Sequence, residues 1–285
     1  MARGRVYLVG AGPGDVGLLT IRGQELLRTA DVVYYDGLVS SQVLRQIPRT
    51  VRKVRVAKGR RERKGVPQSR INALLVSEAK AGRKVVRLKG GDPFLLSRGA
   101  EEASALRANR IPFEVVPGVT SALAAPSYAG IPVTERGWAS SVAIVTGRES
   151  RTARHQTVDW GALAHSADTL VVLMGVAPFP RIARTLLKSG LPPDTPVAAI
   201  RWATTSRQRT VLFTLAEAGE KQLRPRLRSP SVFVIGPTAA RAHTLHWNLQ
   251  EARWSSSQFA RAAKRWERRA IAGGRPRTRR NATGP

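Results

Sequence analysis

The stretch "RLKGGDPFLLSRGAEE" (residues 87–102) puts two glycines and an acid between an apolar run and a helical pattern. Glycine weakens both strands and helices, so bare backbone there answers a requirement: a tight turn, close packing, or a ligand against the main chain. A second turn of this kind, "GAGPGDVG" (10–17), follows an earlier apolar run and holds Gly12, Gly14 and Gly17 in G-x-G-x-x-G spacing. Asp36 lies 19 residues beyond Gly17. On spacing alone this is a dinucleotide fingerprint, in which exposed amides and a helix N-terminus cradle a pyrophosphate.

Three features argue against a phosphate. Pro13 interrupts the first turn, Asp15 would repel a pyrophosphate, and the helical pattern starts only near Thr20. In "KGGDPF" (89–94) an acid, Asp92, again sits among exposed amides. A carboxylate there suits hydroxyls, a ribose diol or an ammonium group. Two such turns fit an adenosine that carries an amino-acid tail and no phosphate, as S-adenosylmethionine does.

The elements that must position these turns alternate. Residues 5–10, 32–36, 51–57, 84–89 and 113–116 read as strands, with helices over 20–30, 41–47 and 68–82 between them. Thr20 and Ser40 are candidate caps, and Gly82 is a glycine stop. Further strands follow at 141–146, 169–174, 196–200, 210–214 and 231–236, with a helix near 178–189. Alternation of this kind predicts open α/β sheets. The expected division is an N-terminal α/β domain over 1–117, a second over 118–249, and a basic, disordered or partly helical tail over 250–285.

Composition limits the class. With 285 residues and 42% apolar content a sizeable core is available, and no apolar run approaches the ~18 residues of a membrane span. The N-terminal apolar run is broken by glycines and Asp15, which reads as a first strand rather than a signal peptide. The chain has no cysteine, which excludes disulfides and thiolate zinc sites and fits a cytoplasmic setting. His155, His165, His243 and His246 show no metal spacing, so no metal is expected. The net charge of +29 rests on 39 Arg and 9 Lys, concentrated in 49–64 and 241–285. Such a field attracts nucleic acid, anionic membrane or a small polycarboxylate without choosing among them. Trp247, Trp254, Phe259 and Trp266 interleave with arginines, which fits base stacking or, more simply, an amphipathic helix packed on the second domain.

The ordered motifs "VGAGPGD", "ADVVYYDGLVS", "RLKGGDPF", "RGAEE", "VVPGVTSA", "YAGIPVT" and "LMG" resemble the tetrapyrrole methylases over about residues 4–240. Within that family they are most similar to the branch that methylates uroporphyrinogen III. The resemblance implies two α/β domains with S-adenosylmethionine folded in a cleft between them, a homodimer, and S-adenosylhomocysteine as product. It implies two methylations giving precorrin-2, at the branch to sirohaem and cobalamin. Carried over residue by residue, it implies cofactor contacts at Pro13, Gly90, Gly91, Asp92, Leu95, Thr120, Ser121, Met174 and Ala203. Asp36 matches an acid proposed as proton acceptor and Lys58 a lysine proposed as proton donor. The surroundings of Lys58, "AKGRR", and the sequences "SRGAEE" and "PVTERG" depart from the family pattern.

Uroporphyrinogen carries eight carboxylates, so arginines are expected along its site. Arg22, Arg98 and Arg136 are the candidates, beside Lys58. Three alternatives compete: a sibling methylating a later precorrin, a nucleic-acid-binding protein using the basic tail, and a nicotinamide-dependent dehydrogenase.

Overall fold

The computed structural model describes residues 4–56, 66–148, 158–248 and 252–271. The chain forms two compact units, divided between Ser121 and Ala122, a few residues beyond the position expected from sequence.

The first unit runs β1 (Arg5–Gly10), α1 (Ile21–Thr29), β2 (Val32–Tyr35), α2 (Ser41–Leu44), β3 (Arg52–Arg55), α3 (Gln68–Lys80), β4 (Lys84–Lys89), α4 (Gly99–Ala108) and β5 (Phe113–Val116). The five strands form one parallel sheet in the order β3-β2-β4-β1-β5. Near-continuous apolar runs such as Val6, Leu8 and Val9 follow, because helices bury both faces of a parallel sheet. One face packs on Leu26, Leu27 and Val43, the other on Leu75, Ala79 and Leu106. The caps expected at Thr20 and Ser40 are present; their hydroxyls accept from the Gly23 and Val43 amides.

The strand order sets the site. Since β4 lies between β1 and β2, the loops after β1, β2, β4 and β5 all leave the same carboxyl edge around a topological switch. Open α/β sheets bind ligands at such a place. Those loops contain Pro13, Asp36, Gly90 to Asp92, and Thr120.

The second unit contains α5 (Ser121–Tyr128), which begins at the division, then β6 (Val142–Thr146), α6 (Trp160–Ser166), β7 (Thr169–Leu173), α7 (Phe179–Lys188), β8 (Pro196–Arg201), β9 (Arg209–Thr214), β10 (Ser231–Ile235), β11 (Ala252–Ser255) and α8 (Ser257–Ile271). Its sheet is mixed, in the order β11-β9-β8-β10-β7-β6. β10 runs antiparallel to both β7 and β8, so β7 and β8 point the same way. Phe179 and Phe233 stack with centroids 4.0 Å apart at the centre of the core, and Phe213 meets Phe179 edge-on.

Of the basic tail expected over 250–285, residues 252–271 are folded, and residues 272–285 lie outside the described residues. Residues 252–255 pair with β9, and α8 presents Phe259, Ala262, Ala263 and Trp266 to the interior. Trp266 Nε1 donates to the Asp194 carbonyl at 3.1 Å, which satisfies the one polar atom of a buried indole. The amphipathic helix read in sequence from Phe259 and Trp266 is thus present and packs on the second unit. No helix among the described residues is long and apolar enough to cross a membrane.

At the carboxyl edge of the first sheet, main chain packs directly on main chain. A Cβ added to Gly118 would lie 2.7 Å from Gly10 Cα and would also strike the Gly91 carbonyl oxygen. Gly118→Ala therefore overpacks this junction and should lower the unfolding free energy by about 1–3 kcal/mol. A urea midpoint equal to that of the parent chain would contradict the packing described.

Candidate functional site

The two glycine turns are joined. Gly91 N–H donates to the Gly12 carbonyl at 2.8 Å and Gly12 N–H returns a bond to Gly91 at 3.2 Å. Ala11 N–H continues the ladder to the Lys89 carbonyl at 2.7 Å. Gly91 has φ +68°, a left-handed conformation that costs glycine nothing. Its polar groups thus close the turn. Gly90 is different: its N–H and C=O make no hydrogen bond among the described residues. A Cβ there would meet only Leu38 Cβ, at an ordinary 3.5 Å. Packing requires glycine at 10 and 118, but leaves open space and unpaired main chain at 90.

Asp92 acts inside the loop. Its Oδ1 accepts from the Phe94 and Leu95 amides at 2.8 and 3.1 Å, and its Oδ2 from Gly118 N–H at 3.1 Å. The carboxylate that sequence suggested for ligand hydroxyls ties the β4 loop to the β5 loop. Thr120 and Ser121 lie beside this turn, with Ser121 N 3.8 Å from the Cβ position of Gly91. Pro13 is half-buried in the loop that Gly12 anchors, and the Ser40 hydroxyl ties that loop to the one after β2 by a 2.6 Å bond to the Gly14 carbonyl. The first motif is no dinucleotide cradle: Asp15 caps a 3-10 turn over Val16–Leu18, and α1 begins after it.

Asp36 sits at the end of β2 with its side chain 32% exposed. Arg87, buried on β4, holds Asp36 Oδ1 through Nη2 and Glu102 Oε1 through Nε at 2.9 Å. Lys89 Nζ lies 3.1 Å from the other oxygen of Glu102, and Gln68 Nε2 donates to Oε1 at 3.1 Å. Glu102 is 0% exposed and Lys89 1%. Burial opposes the charge on Arg87, yet Asp36 and Glu102 outweigh it and raise its proton affinity above the ordinary guanidinium value. Burial, with the Arg87 charge beside it, pushes the Lys89 ammonium below its usual range. These charges alternate in sign along a row, which is how buried ions remain tolerable. Sequence reasoning missed Arg87, Lys89 and Glu102. Their signal was an Arg and a Lys two apart on an otherwise apolar strand, followed by an acid in the first turn of the next helix.

Two expected substrate arginines have partners. Arg22 grips Glu114 through Nε and Nη2 at 3.0 and 3.1 Å. Arg98 grips Glu101 through two bonds of 2.7 Å. Neither is a free guanidinium; Arg22 stands on α1, and Arg98 caps α4 at the end of the loop that carries the second glycine turn. Arg136 is exposed and forms no ion pair among the described residues. Lys58 falls outside the described residues.

In the second unit Met174 follows β7 and Ala203 follows β8, so both occupy the same edge of that sheet. Met174 is exposed with φ +55°, while Ala203 is buried between Trp202 (φ +50°) and Thr204 (φ +62°). Left-handed backbone at residues other than glycine concentrates at functional sites.

The chain resembles known proteins in sequence and in fold. Residues 5–219 match the family Tetrapyrrole (Corrin/Porphyrin) Methylases. The chain is 45% identical over 233 residues to the S-adenosyl-L-methionine-dependent uroporphyrinogen III methyltransferase of Methanosarcina barkeri, covering 82% of this chain and 91% of that protein. It is 49% identical over 246 residues to the siroheme synthase of Tolumonas auensis, covering 86% of this chain but only 52% of that protein. The chain thus spans about half the length of the siroheme synthases that it matches. Uroporphyrin-III C-methyl transferase from Thermus thermophilus, solved with S-adenyl homocysteine, superposes with a TM-score of 0.70 at 41% identity, covering 81% of this chain and 97% of that one. The parallel sheet, the joined glycine turns and these matches agree: the chain belongs to the tetrapyrrole methylases.

Proposed function

We propose that the chain is an S-adenosylmethionine-dependent C-methyltransferase that converts uroporphyrinogen III to precorrin-2 by two methylations, on the route to sirohaem and cobalamin. The agreement along nearly the whole Methanosarcina methyltransferase carries this reading. The family likeness extends at lower identity to a cobalt precorrin-4 methyltransferase, but the Methanosarcina and Thermus proteins are named for uroporphyrinogen or uroporphyrin III, which favours the earlier substrate. A homodimer in the cytoplasm completes the proposal.

The residues fit a phosphate-free nucleoside. Gly90 offers unpaired main chain in open space, and the adjoining Lys89 is buried against Glu102 rather than held out to a phosphate. Gly90, Gly91, Asp92 and Leu95, with Pro13, Thr120 and Ser121, would hold the cofactor in the first unit; Met174 and Ala203 would do so in the second. When bound, the cofactor supplies an electrophilic methyl group and is released as S-adenosylhomocysteine.

A pyrrole carbon of a porphyrinogen is already electron-rich, so the chain has chiefly to orient it and exclude water. Such positioning contributes ~7–11 kcal/mol to a reaction of this kind. The sulfonium loses its charge during transfer, so an anion beside it would favour the ground state over the transition state. Neutral main chain at Gly90 avoids that, and the neighbouring Asp92 carboxylate is occupied by three amides. Once the new carbon–carbon bond forms, the pyrrole is cationic and must release a proton. Asp36 accepts it, held in place by Arg87. Lys58 serves as proton donor, and Arg136 meets a substrate carboxylate. Arg22 and Arg98 reach substrate only by exchanging their present acidic partners.

Incubated with S-adenosylmethionine and enzymatically generated uroporphyrinogen III, the full chain should give a product heavier by two methyl groups. No mass gain would refute the reading, and gain only with a later precorrin would transfer it to the sibling enzymes. Asp36→Asn should slow methylation by about 10²- to 10⁴-fold, the usual worth of a general base. It should leave S-adenosylhomocysteine affinity unchanged; a variant as fast as the parent would remove Asp36 from the reaction.

One observation favours an added role for the charge. Arg261, Lys264, Arg265, Arg268 and Arg269 share the outer face of α8, whose apolar face is already buried in its own unit. That face suits a phosphodiester chain rather than insertion into a bilayer. The full chain should bind a short single-stranded RNA with an affinity that falls with salt. Charge reversal at Arg261, Lys264 and Arg268 should reduce the slope of log K against log salt by about two. No binding at low salt, or an unchanged slope, would contradict it.

A further inference from the structure

We infer that Gln208 is a positioning residue for the cofactor, holding the turn after β8 in a shape that leaves the Ala203 main chain free to bind it. This rests on the function proposed above. Gln208 is 1% exposed, and both ends of its amide are used. Oε1 accepts from Thr204 N–H at 2.7 Å, and Nε2 donates to the Tyr128 carbonyl at 3.2 Å. A buried side-chain amide satisfied wholly by main chain fixes the path of the backbone it touches.

That path is unfavourable on its own. Trp202 and Thr204 both adopt left-handed backbone, at φ +50° and +62°, where a β-branched threonine is especially uncommon. Such conformations persist only where the surroundings over-determine them. Besides Gln208, the Thr205 hydroxyl bonds the Trp202 carbonyl at 2.7 Å, and the Arg207 guanidinium covers the Trp202 ring at 4.1 Å. The turn is therefore braced from three sides.

The brace leaves something unpaired. Ala203 is 8% exposed, yet its N–H and C=O make no hydrogen bond among the described residues. Arg201 Nε, two residues earlier, is also buried without a partner. Buried polar groups are nearly always satisfied, so a cluster of unsatisfied ones at a strained turn marks a place completed by a ligand. The complementary chemistry is a planar, uncharged group with donors and acceptors on one edge, as a purine base presents. Releasing Gln208 would let Thr204 relax towards ordinary φ and carry the Ala203 peptide out of register with that edge.

The test is titration of S-adenosylhomocysteine into the full chain and its Gln208→Met variant, which keeps the side-chain length and removes both hydrogen bonds. Affinity should fall about tenfold, the worth of one net hydrogen bond, and KM for S-adenosylmethionine should rise alike. KM for uroporphyrinogen III should stay within about twofold, because a positioning role is confined to the cofactor. Gln208→Glu keeps the acceptor for Thr204 and loses the donor to Tyr128, so it should fall between the two. Adding Thr204→Gly to Gln208→Met should recover part of the affinity, since glycine takes the left-handed conformation without strain. Parent-like affinity in Gln208→Met, or an equal rise in both KM values without rescue by Thr204→Gly, would overturn the assignment to Gln208. A parent chain that binds no S-adenosylhomocysteine would instead overturn the proposed function on which it rests.

Discussion

The first unit depends on main chain packed against main chain where β1, β4 and β5 end. Gly10 and Gly118 lie too close for any side chain, Gly12 and Gly91 exchange hydrogen bonds, and Asp92 ties the β4 loop to Gly118. These contacts leave no slack, so the turn between them has a single shape. What that shape leaves over is Gly90, with both polar groups unpaired and room above its Cα. The glycines of "KGGDPF" thus divide their work: Gly91 builds the turn, and Gly90 is what the turn presents.

Electrostatics follows the same division between structure and chemistry. The carboxylate beside the glycines accepts from three amides, so its oxygens are turned into the loop that it ties together. Asp36, the acid proposed as proton acceptor, follows the neighbouring strand β2 and is bonded to Arg87, itself fixed by Glu102. Truncating one member of such a buried row strands its neighbour's charge, a loss of about 3–5 kcal/mol. Asp36 is therefore held by residues that the fold cannot easily spare.

Much of the architecture was legible in the sequence because buried parallel strands read as short apolar runs separated by capped helices. The strands at 5–10, 84–89 and 113–116 and the caps at Thr20 and Ser40 were readable in this way. α5 was not, because "SALAAPSY" is built from small residues without an amphipathic stripe and contains Pro126. α8 was legible in Phe259 and Trp266, which recur at helical spacing among arginines. In the site, the glycines were legible but their separate roles were not: whether a glycine avoids a clash or faces a ligand depends on atoms distant in sequence, such as Gly118 on Gly10. Arg22 and Arg98 looked like free cations because Glu114 and Glu101 become their partners only in the fold. Arg87 and Lys89 drew no notice within the strand because Glu102, the acid that pairs with both, meets them only in the fold.

The central claim, that unpaired main chain at Gly90 grips a nucleoside without phosphate, is tested most directly by calorimetric titration of the full chain and its Gly90→Ala variant. Each would be titrated with S-adenosylhomocysteine and with a nicotinamide adenine dinucleotide. A Cβ at this position makes only an ordinary contact with Leu38, so the variant should fold as the parent does. The account predicts that the parent binds S-adenosylhomocysteine and no dinucleotide, and that Gly90→Ala weakens the first. Binding of the dinucleotide, or S-adenosylhomocysteine affinity indifferent to the added methyl group, would contradict it.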